Sequence, residues 1–264
     1  MVNIVCIKYG RYYSPVYVNR LYAGVRRHLL RPFRFVCVTN DPAGIRPEVE
    51  CVPFMENQNV PGRKWPNIFS KLTLFKDGFA DLKGPTLCLD IDVLVTGPLD
   101  RFFDYRPGEF CIIRNWIEFY KRIFRKAPLI GNSSCFRFEA GASNAVYEFF
   151  LREKDDPAKR HLFANGSQKL QTRAMFNAGK VNWWPADWVC SFKRQCIPPF
   201  PLNLFLAPRR PPDTASIVAF HGRPDIPDAQ AGYRFRIRKD GVRERVRPHL
   251  TCLPAPWIDS VWRE

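Results

Sequence analysis

Several patterns that define common classes of protein are missing from this sequence. Its nine cysteines include no Cys-x-x-Cys pair, which argues against a zinc ribbon or a thioredoxin-like redox site. No apolar run approaches the length of a membrane span, and the run at residues 2–7 is too short for the core of a signal peptide. Internal repeats and low-complexity segments are also missing. We therefore expect a globular protein of the cytoplasm.

Acidic residues are scarce relative to basic ones. The 264 residues include 25 Asp and Glu against 41 Lys and Arg, so the formal net charge is +16. Such an excess attracts phosphates, nucleic acids and anionic membranes, and charge alone does not choose among them. The hydrophobic content of 46% is sufficient for one large domain or two small ones.

The order of elements at the beginning of the chain indicates an α/β fold. Residues 2–7 form a first apolar run, Ser14 and Pro15 then begin a segment with helical apolar spacing, and residues 33–39 form a second apolar run. A strand, a helix and a second strand in this order predict a mostly parallel central sheet with helices on both faces.

Two carboxylates interrupt the apolar run at residues 86–96, which otherwise has the pattern of a buried strand. In an extended chain Asp90 and Asp92 project to the same side, and their oxygens suit a hard ion such as Mn²⁺ or Mg²⁺. Burying ionised carboxylates without a partner is costly, so the pair needs a cation, N–H donors or the mouth of a cleft. The alternative is a turn at the strand end, in which the two side chains cap backbone N–H groups.

Other candidate residues have both a functional and a structural interpretation. Lys8 and Tyr9 follow the first strand in a basic, aromatic loop, which can stack a base or form an ordinary surface turn. Lys71 is either a phosphate contact or a solvated lysine, and Gln168 lies in the first turn of a predicted helix. His221 follows the last apolar strand, and the carboxyl ends of strands form the ligand crevice of open α/β sheets.

Four segments together resemble the GT-A glycosyltransferases. They are Asp90-Ile91-Asp92, the Asn132-Ser133-Ser134 turn, Trp184-Pro185 to Ser191-Phe192-Lys193, and Phe220-His221-Gly222. Within that group the sequence is similar to family 8, the retaining galactosyl- and glucosyltransferases of bacterial lipopolysaccharide assembly, and to related bacterial proteins. The resemblance extends in order from Val2 to about Pro224.

The resemblance implies a single GT-A domain at residues 1–222, with a nucleotide-binding half at 1–113 and an acceptor half at 114–222, followed by a basic extension at 223–264. It implies that Asp90, Asp92 and His221 hold the metal ion. The residues expected to contact the nucleotide-sugar are Lys8, Tyr9, Lys71, Asp90, Asn132, Ser133, Lys193, Gly222 and Arg223. Asp92 and Gln168 are the expected catalytic residues.

The sequence departs from the family-8 pattern at two places. Ser167 and Gln168 stand where family members commonly have an Asp-Gln pair. The late His-x-x-Gly-x-x-Lys-Pro pattern is shortened to His221-Gly222-Arg223-Pro224. We therefore expect Arg223 to replace the lysine that meets the leaving phosphate.

The resulting prediction is a metal-dependent glycosyltransferase. It moves a sugar from a nucleotide-diphosphate donor, with UDP expected, to a glycan or glycolipid acceptor. A divalent ion would offset the charge that develops on the leaving diphosphate, and Lys71, Lys193 and Arg223 are expected to assist. No second carboxylate is apparent beside Gln168, which favours front-face attack with retention over a covalent intermediate.

Two other functions are consistent with parts of the sequence. The segment Asp90-Ile91-Asp92-Val93 also fits the nucleophile signature of haloacid-dehalogenase-type phosphatases, although that signature normally follows the first strand of their core fold. The net charge is compatible with a nucleic-acid-binding protein, but no helix-turn-helix, zinc-finger or RNP-like motif supports one. Nucleic acid is therefore not an expected partner.

The basic extension suggests peripheral contact with anionic lipid at the inner face of the membrane. Seven Arg and Lys residues lie between Arg234 and Arg247, and Tyr233, Phe235 and Trp257 are candidates to seat in the headgroup region. The alternative is that these arginines pair with acidic residues of the protein's own body.

Overall fold

The computed structural model describes residues 1–55, 66–116, 130–142, 144–154, 156, 167–237 and 242–264. Its strands are β1 (Val2–Lys8), β2 (Phe33–Thr39), β3 (Glu50–Val52), β4 (Gly84–Leu89), β5 (Val93–Val95), β6 (Cys111–Arg114), β7 (Gly131–Ala140), β8 (Asn182–Trp183), β9 (Val189–Ser191), β10 (Ile217–Ala219), β11 (Phe235–Ile237) and β12 (Arg243–Arg245). The α-helices are α1 (Pro15–His28), α2 (Arg101–Asp104), α3 (Ala145–Lys154), α4 (Ser167–Asn177), α5 (Ile226–Ala231) and α6 (Trp257–Val261). Short 3-10 helices lie at Ile68–Phe75, Phe79–Asp81, Leu202–Leu204 and Pro248–Leu250, and a π-helical turn at Phe192–Cys196.

Seven strands form the central sheet, in the order β3-β2-β1-β4-β7-β6-β8. Neighbouring strands are parallel except around β7, which runs antiparallel to both β4 and β6. β1 pairs in parallel with β2 on one side and with β4 on the other. The predicted α/β domain with a mostly parallel central sheet is confirmed.

Different elements cover the two faces of the central sheet, because side chains alternate along each buried strand. On one face Cys6 belongs to the same apolar core as Leu21 of α1. On the other face Val5 packs in a second apolar core with Phe69 of the first 3-10 helix and with residues of α3 and α4. Helices therefore lie on both faces, as the predicted fold class requires.

A smaller sheet, in the order β5-β10-β9, begins directly after β4. β10 runs antiparallel to β5 and parallel to β9. The backbone N–H of Phe220, which follows β10, donates to the carbonyl oxygen of Asp92 at 3.2 Å. This pairing brings His221, the next residue, close to the turn that carries Asp90 and Asp92.

A capping box at Asn67 sets the start of the first 3-10 helix. The side chain of Asn67 accepts from the N–H of Phe69 at 2.9 Å, and the N–H of Asn67 donates to the hydroxyl of Ser70 at 3.2 Å. Such a box satisfies N–H groups that have no partner inside the helix. The apolar spacing of Ile68, Leu72 and Phe75 after Asn67 predicts a helix that Asn67 caps and Gly78 ends. The cap is confirmed, but the helix is of the 3-10 type and ends at Phe75, before Gly78.

The residues after 222 pack against the rest of the chain. The ring of Trp262 lies 5.2 Å from that of Tyr17 in α1. Tyr233 and Trp257 are 4% and 8% exposed and belong to the apolar core that includes α1. The prediction that these two rings contact lipid headgroups is wrong because they are buried, and of the three predicted rings only Phe235 is exposed.

Part of the basic extension is not described by the structure, since Arg238 and Lys239 lie outside the described residues. In the part of the chain that is described, no helix has both the length and the apolar character needed to cross a bilayer. The domain boundary at residue 222 stays a prediction.

Two isoleucines of the extension test its packing. Ile258 is fully buried in the core beside α1, whereas Ile237 is 69% exposed. We expect Ile258→Ala to lower the free energy of unfolding by about 2–5 kcal/mol, because it leaves a cavity among buried side chains. Ile237→Ala, the matched control, should change it by less than about 0.5 kcal/mol. Chemical denaturation measures both, and equal effects would show that the extension is not part of the core.

Candidate functional site

Two adjoining cavities form a cleft where β4 and β10 end. The larger has a volume of about 540 Å³ and the smaller about 250 Å³. Both are lined by Asp90, Asp92, Ser133 and Gln168, so these four residues lie where the cavities meet. The carboxyl ends of parallel strands are the usual place for a ligand in such sheets.

Lys71 fixes the position of Asp90. Its ammonium donates to the Asp90 carboxylate and, at 3.0 Å, to the backbone carbonyl oxygen of Ser133. Burial alone would lower the pKa of Lys71, but the charge and hydrogen bond of Asp90, together with smaller contributions from Cys88 and Asp92, outweigh it, so the pKa is raised and the ammonium form is maintained. This one contact links the first 3-10 helix, the end of β4 and β7.

Tyr13 is the hydrogen-bond partner of Asp92. Its hydroxyl donates to a carboxylate oxygen of Asp92 at 3.2 Å. Burial, with a further contribution from the charge of Asp90, raises the pKa of Asp92 to about 7, although Lys71 and Tyr13 act in the opposite direction. The two carboxylates therefore repel each other, and the positive charge of one lysine does not fully compensate for them.

His221 faces the smaller cavity and has partners on both sides. Its Nε2 is 2.6 Å from the hydroxyl of Ser191, and its ring stacks on Trp116 with a centroid distance of 5.5 Å and an angle of 18°. Burial, assisted by the charges of Lys193 and Arg194, lowers the pKa of His221 to about 4. The imidazole is therefore neutral at pH 7, which is the form that binds metals.

The carboxylate pair fits a divalent ion that is completed by a ligand. Among the described residues no three Asp, Glu, His or Cys side chains come together as a metal site. Mg²⁺ is usually bound by one or two carboxylates together with substrate phosphates, so Asp90 and Asp92 supply a suitable partial set of hard oxygen ligands. The assignment of His221 as a third ligand stays a prediction.

Eight of the residues expected at the site line the cleft. They are Tyr9, Lys71, Asp90, Asp92, Asn132, Ser133, Gln168 and His221. The segment Asn132-Ser133-Ser134, expected as a turn, is part of β7 instead, and the side chain of Asn132 accepts from the N–H of Ser134 at 2.9 Å. The roles assigned to these residues stay predictions.

Four other expected residues lie outside the lining of both cavities. Lys8 is only 2% exposed and donates to the carbonyl oxygen of Asp41 at 3.3 Å. Lys193 donates to the carbonyl oxygen of His221 at 2.7 Å, and Gly222 has a φ of +71° that favours glycine. Arg223 forms ion pairs with two acidic residues, Asp225 and Asp228. In this arrangement Lys193 supports the backbone at His221.

Several residues in the cleft or in contact with its lining were not expected at the site from the sequence. Tyr13 belongs to the aromatic loop after β1, but nothing local indicates that its hydroxyl meets Asp92. Ser191 is separated from His221 by 30 residues, and only the pairing of β9 with β10 brings the two together. Asn67, directly before the first 3-10 helix, and Asn115, directly after β6, also line the cleft.

Solved structures of glycosyltransferases are similar to this one. The galactosyltransferase LgtC, solved in complex with donor and acceptor sugar analogues, is 15% identical, with 90% of each chain covered and a TM-score of 0.54. The bifunctional glycosyltransferase WbbM, solved in its apo form, is 12% identical, with a TM-score of 0.57. GlyE of Streptococcus pneumoniae TIGR4 is 12% identical, with a TM-score of 0.55. This chain has the GT-A fold.

The similarity covers 85% of this chain but 46% of WbbM, and 86% of this chain but 56% of GlyE, so the chain spans about half the length of those two proteins. No protein-family profile matches the sequence, and no curated protein sequence does. The GT-A fold predicted by the resemblance is confirmed. The order of the strands does not favour the phosphatase alternative, because Asp90 follows the fourth strand of the chain rather than the first.

The raised pKa of Asp92 predicts a pH dependence of stability in metal-free protein. A folded carboxyl with a pKa of about 7 keeps a proton that the unfolded chain, with a value of 3.8, has released. The contribution of Asp92 to the free energy of unfolding is therefore largest below pH 4 and is lost as the pH rises through 7. We expect Asp92→Asn to be more stable than the parent at pH 8, on the order of 1 kcal/mol, and the difference to shrink toward pH 4.

Thermal unfolding with EDTA from pH 4 to 8 measures this difference. Asp213→Asn is the matched control, since Asp213 is exposed and precedes β10 at the end away from His221. Its curve should run parallel to that of the parent. A parallel curve for Asp92→Asn as well would contradict the prediction.

Proposed function

We propose that this protein is a glycosyltransferase that moves a sugar from a nucleotide-diphosphate donor to a glycan or lipid-linked acceptor. UDP is the expected nucleotide. The observation that carries the proposal is the pair Asp90 and Asp92, held by Lys71 and Tyr13 at the centre of a cleft in a GT-A fold. LgtC, which has the same fold, binds donor and acceptor sugar analogues in its crystal structure.

The two cavities suit the two ends of a nucleotide-sugar. The larger one is lined by Tyr9, Tyr12 and Tyr13, whose rings can stack on a base, and its volume of about 540 Å³ is that of a typical small-molecule site. The smaller one is lined by amide and hydroxyl groups, including those of Asn132 and Ser133, which can hydrogen-bond to a sugar. The diphosphate would then lie between them, next to Asp90 and Asp92.

A Mn²⁺ or Mg²⁺ ion at Asp90 and Asp92 would act as a Lewis acid that offsets the charge of the leaving diphosphate. Two residues of the chain hold these carboxylates in position. Lys71 holds Asp90 against β7, and the hydroxyl of Tyr13 holds Asp92. Both hydrogen bonds restrict the positions of the carboxylates, which would limit their reorganisation on binding.

The distribution of carboxylates supports retention by front-face attack. Among the described residues that line the cleft, Asp90 and Asp92 are the two carboxylates, and the first is paired with Lys71. On the α4 side the cleft presents Gln168, whose amide is not a nucleophile of the kind that forms a glycosyl-enzyme intermediate. In the proposed reaction Gln168 orients the donor sugar while the acceptor hydroxyl attacks from the leaving-group side.

A thermal-shift series with nucleotides and nucleotide-sugars, each with and without Mn²⁺, tests the proposal. We expect UDP-sugars to raise the melting temperature only when Mn²⁺ is present, because the ion joins the diphosphate to the carboxylates. Asp90→Asn and Asp92→Asn should abolish this metal-dependent shift and keep the fold. Asp213→Asn should retain it. An Asp92→Asn protein that binds UDP-sugar as the parent does would refute the proposed site.

The role of His221 has a separate test. If it contacts the ion directly or through one group, His221→Ala should weaken Mn²⁺ binding roughly 10- to 100-fold with little change in melting temperature. Isothermal titration with Mn²⁺ and UDP measures the affinity, and His28→Ala serves as a control on a histidine of α1. A lower melting temperature with unchanged Mn²⁺ affinity would assign His221 a packing role instead.

A further inference from the structure

Exposed apolar side chains are concentrated in two segments of the chain. Fourteen large apolar side chains are exposed among the described residues, and eight of them lie within residues 200–206 and 235–250. The eight are Phe200, Leu202, Phe205, Leu206, Phe235, Ile237, Val242 and Leu250. Single exposed apolar residues need no explanation, but a concentration of this kind marks an interaction surface.

The two segments are neighbours in the fold. The side-chain amide of Asn203 donates to the carbonyl oxygens of Pro248 and Thr251, at 2.8 and 2.9 Å. Asn203 is 1% exposed, so these hydrogen bonds are buried and hold the two segments together. The exposed residues of 200–206 and 235–250 together form what we name the apolar-basic face.

Arginines are interleaved with the apolar residues on the β11–β12 hairpin. Phe235 is paired across the hairpin with Arg245, and Ile237 with Arg243. Because side chains alternate along a strand, these four residues share one side of the hairpin. Arg247 continues the same alternation, whereas the intervening Val246 is 5% exposed and belongs to the core.

These arginines are available for a partner. Arg236 is paired with Glu244 at 2.9 Å on the opposite side of the hairpin. Arg245 and Arg247 form no ion pair with any of the described residues, and Arg243 stacks on the ring of Phe235 at 4.2 Å. The alternative in which the arginines of the extension pair with the protein's own acidic residues therefore holds for Arg236 and not for Arg245 and Arg247.

We propose that the apolar-basic face docks on an anionic lipid bilayer. Aromatic and aliphatic side chains enter the headgroup region, while Arg245 and Arg247 meet lipid phosphates, a combination typical of proteins that lie on a membrane. A cavity of about 680 Å³, lined in part by Arg245, Arg247, Phe235 and Leu250, has room for a headgroup. The net charge of +16 is complementary to such a surface.

The face also lies beside the cleft. Arg223 lines the 680 Å³ cavity, and its guanidinium stands 5.7 Å from the ring of Tyr12, which lines the larger cavity of the cleft. A lipid-linked acceptor in the same membrane would therefore be near the site. The docking does not depend on the proposed glycosyl transfer, because it is measured without a nucleotide or an acceptor.

The test is flotation of the full chain with phosphatidylcholine vesicles, with and without about 30% phosphatidylglycerol. We expect binding only to the anionic vesicles, and its loss when the salt is raised from about 0.05 to about 0.5 M. Arg245→Gln/Arg247→Gln should weaken binding roughly 30-fold at low salt, since each cation near such a surface contributes about 1 kcal/mol, or about fivefold in affinity. Phe205→Ser should weaken it roughly tenfold.

Matched controls lie on α4 and the residues that follow it, across the central sheet. Arg173→Gln/Lys180→Gln removes the same charge, and Phe176→Ser removes an aromatic ring that is 42% exposed. Both should bind vesicles as the parent does. Controls that bind as weakly as the face variants would overturn the proposal, because the attraction would then reflect net charge alone.

Three further outcomes would also overturn it. One is no binding to anionic vesicles at low salt, whether or not the chain self-associates in sedimentation. Another is equal binding to neutral vesicles. The third is release from vesicles by inorganic phosphate beyond that by chloride of the same ionic strength, which would indicate a site for soluble phosphate instead of a bilayer.

Discussion

The structure depends on how two neighbouring carboxylates are held at the end of a buried strand. Asp90 and Asp92 are half-buried where they line the cleft and together carry up to two negative charges, and the ammonium of Lys71 is hydrogen-bonded to Asp90. Removing a carboxylate from water costs several kcal/mol unless a charge or donor replaces the solvent. Burial first, and then the charge of Asp90, raise the pKa of Asp92, and the charge of Lys71 offsets these effects only in part. A divalent cation is the ligand that would remove this imbalance, which is why the pair is the strongest functional signal in the chain.

Topology explains why distant parts of the chain meet at this pair. The chain leaves the central sheet after β4, turns at Asp92 and enters the smaller sheet as β5, so the turn belongs to both sheets. β10 then pairs with β5 and β9, which fixes His221 and Ser191 on one side of the turn. Lys71 reaches the other side from the first 3-10 helix, whose start is set by Asn67. The cleft is therefore defined by backbone pairing, and its side chains are placed by short local signals.

Those local signals decide what the sequence could predict. The buried strands and the cap at Asn67 depend on residue type and spacing within a few positions, and the structure has them at the predicted places. Asp90 and Asp92 were expected on an extended strand over residues 86–96, but they lie in the turn between β4, which ends at Leu89, and β5, which begins at Val93. The hydrogen bond from Tyr13 to Asp92 joins residues 79 positions apart, and no periodicity indicates it. The burial of Trp257 was missed for the same reason, because its surroundings come from elements far away in the chain. The ion pairs of Arg223 with acidic residues that directly follow it were readable locally, yet the family pattern favoured a different role.

The residues after 222 carry most of the apolar-basic face and are attached to the body close to the cleft. Val246 and Ile258 belong to the same apolar core as α1, and α1 lies against β5, next to the turn at Asp92. The β11–β12 hairpin itself is largely exposed on both sides, and Val246, directly after β12, attaches it to the core of the body. A surface that bound this hairpin would therefore contact the body close to that attachment. Arg223 stands between the hairpin and the body, paired with Asp228 of α5 and beside Tyr12 of the cleft. The chain thus places its positive surface and its negative site next to each other, so a bound membrane would lie beside the cleft.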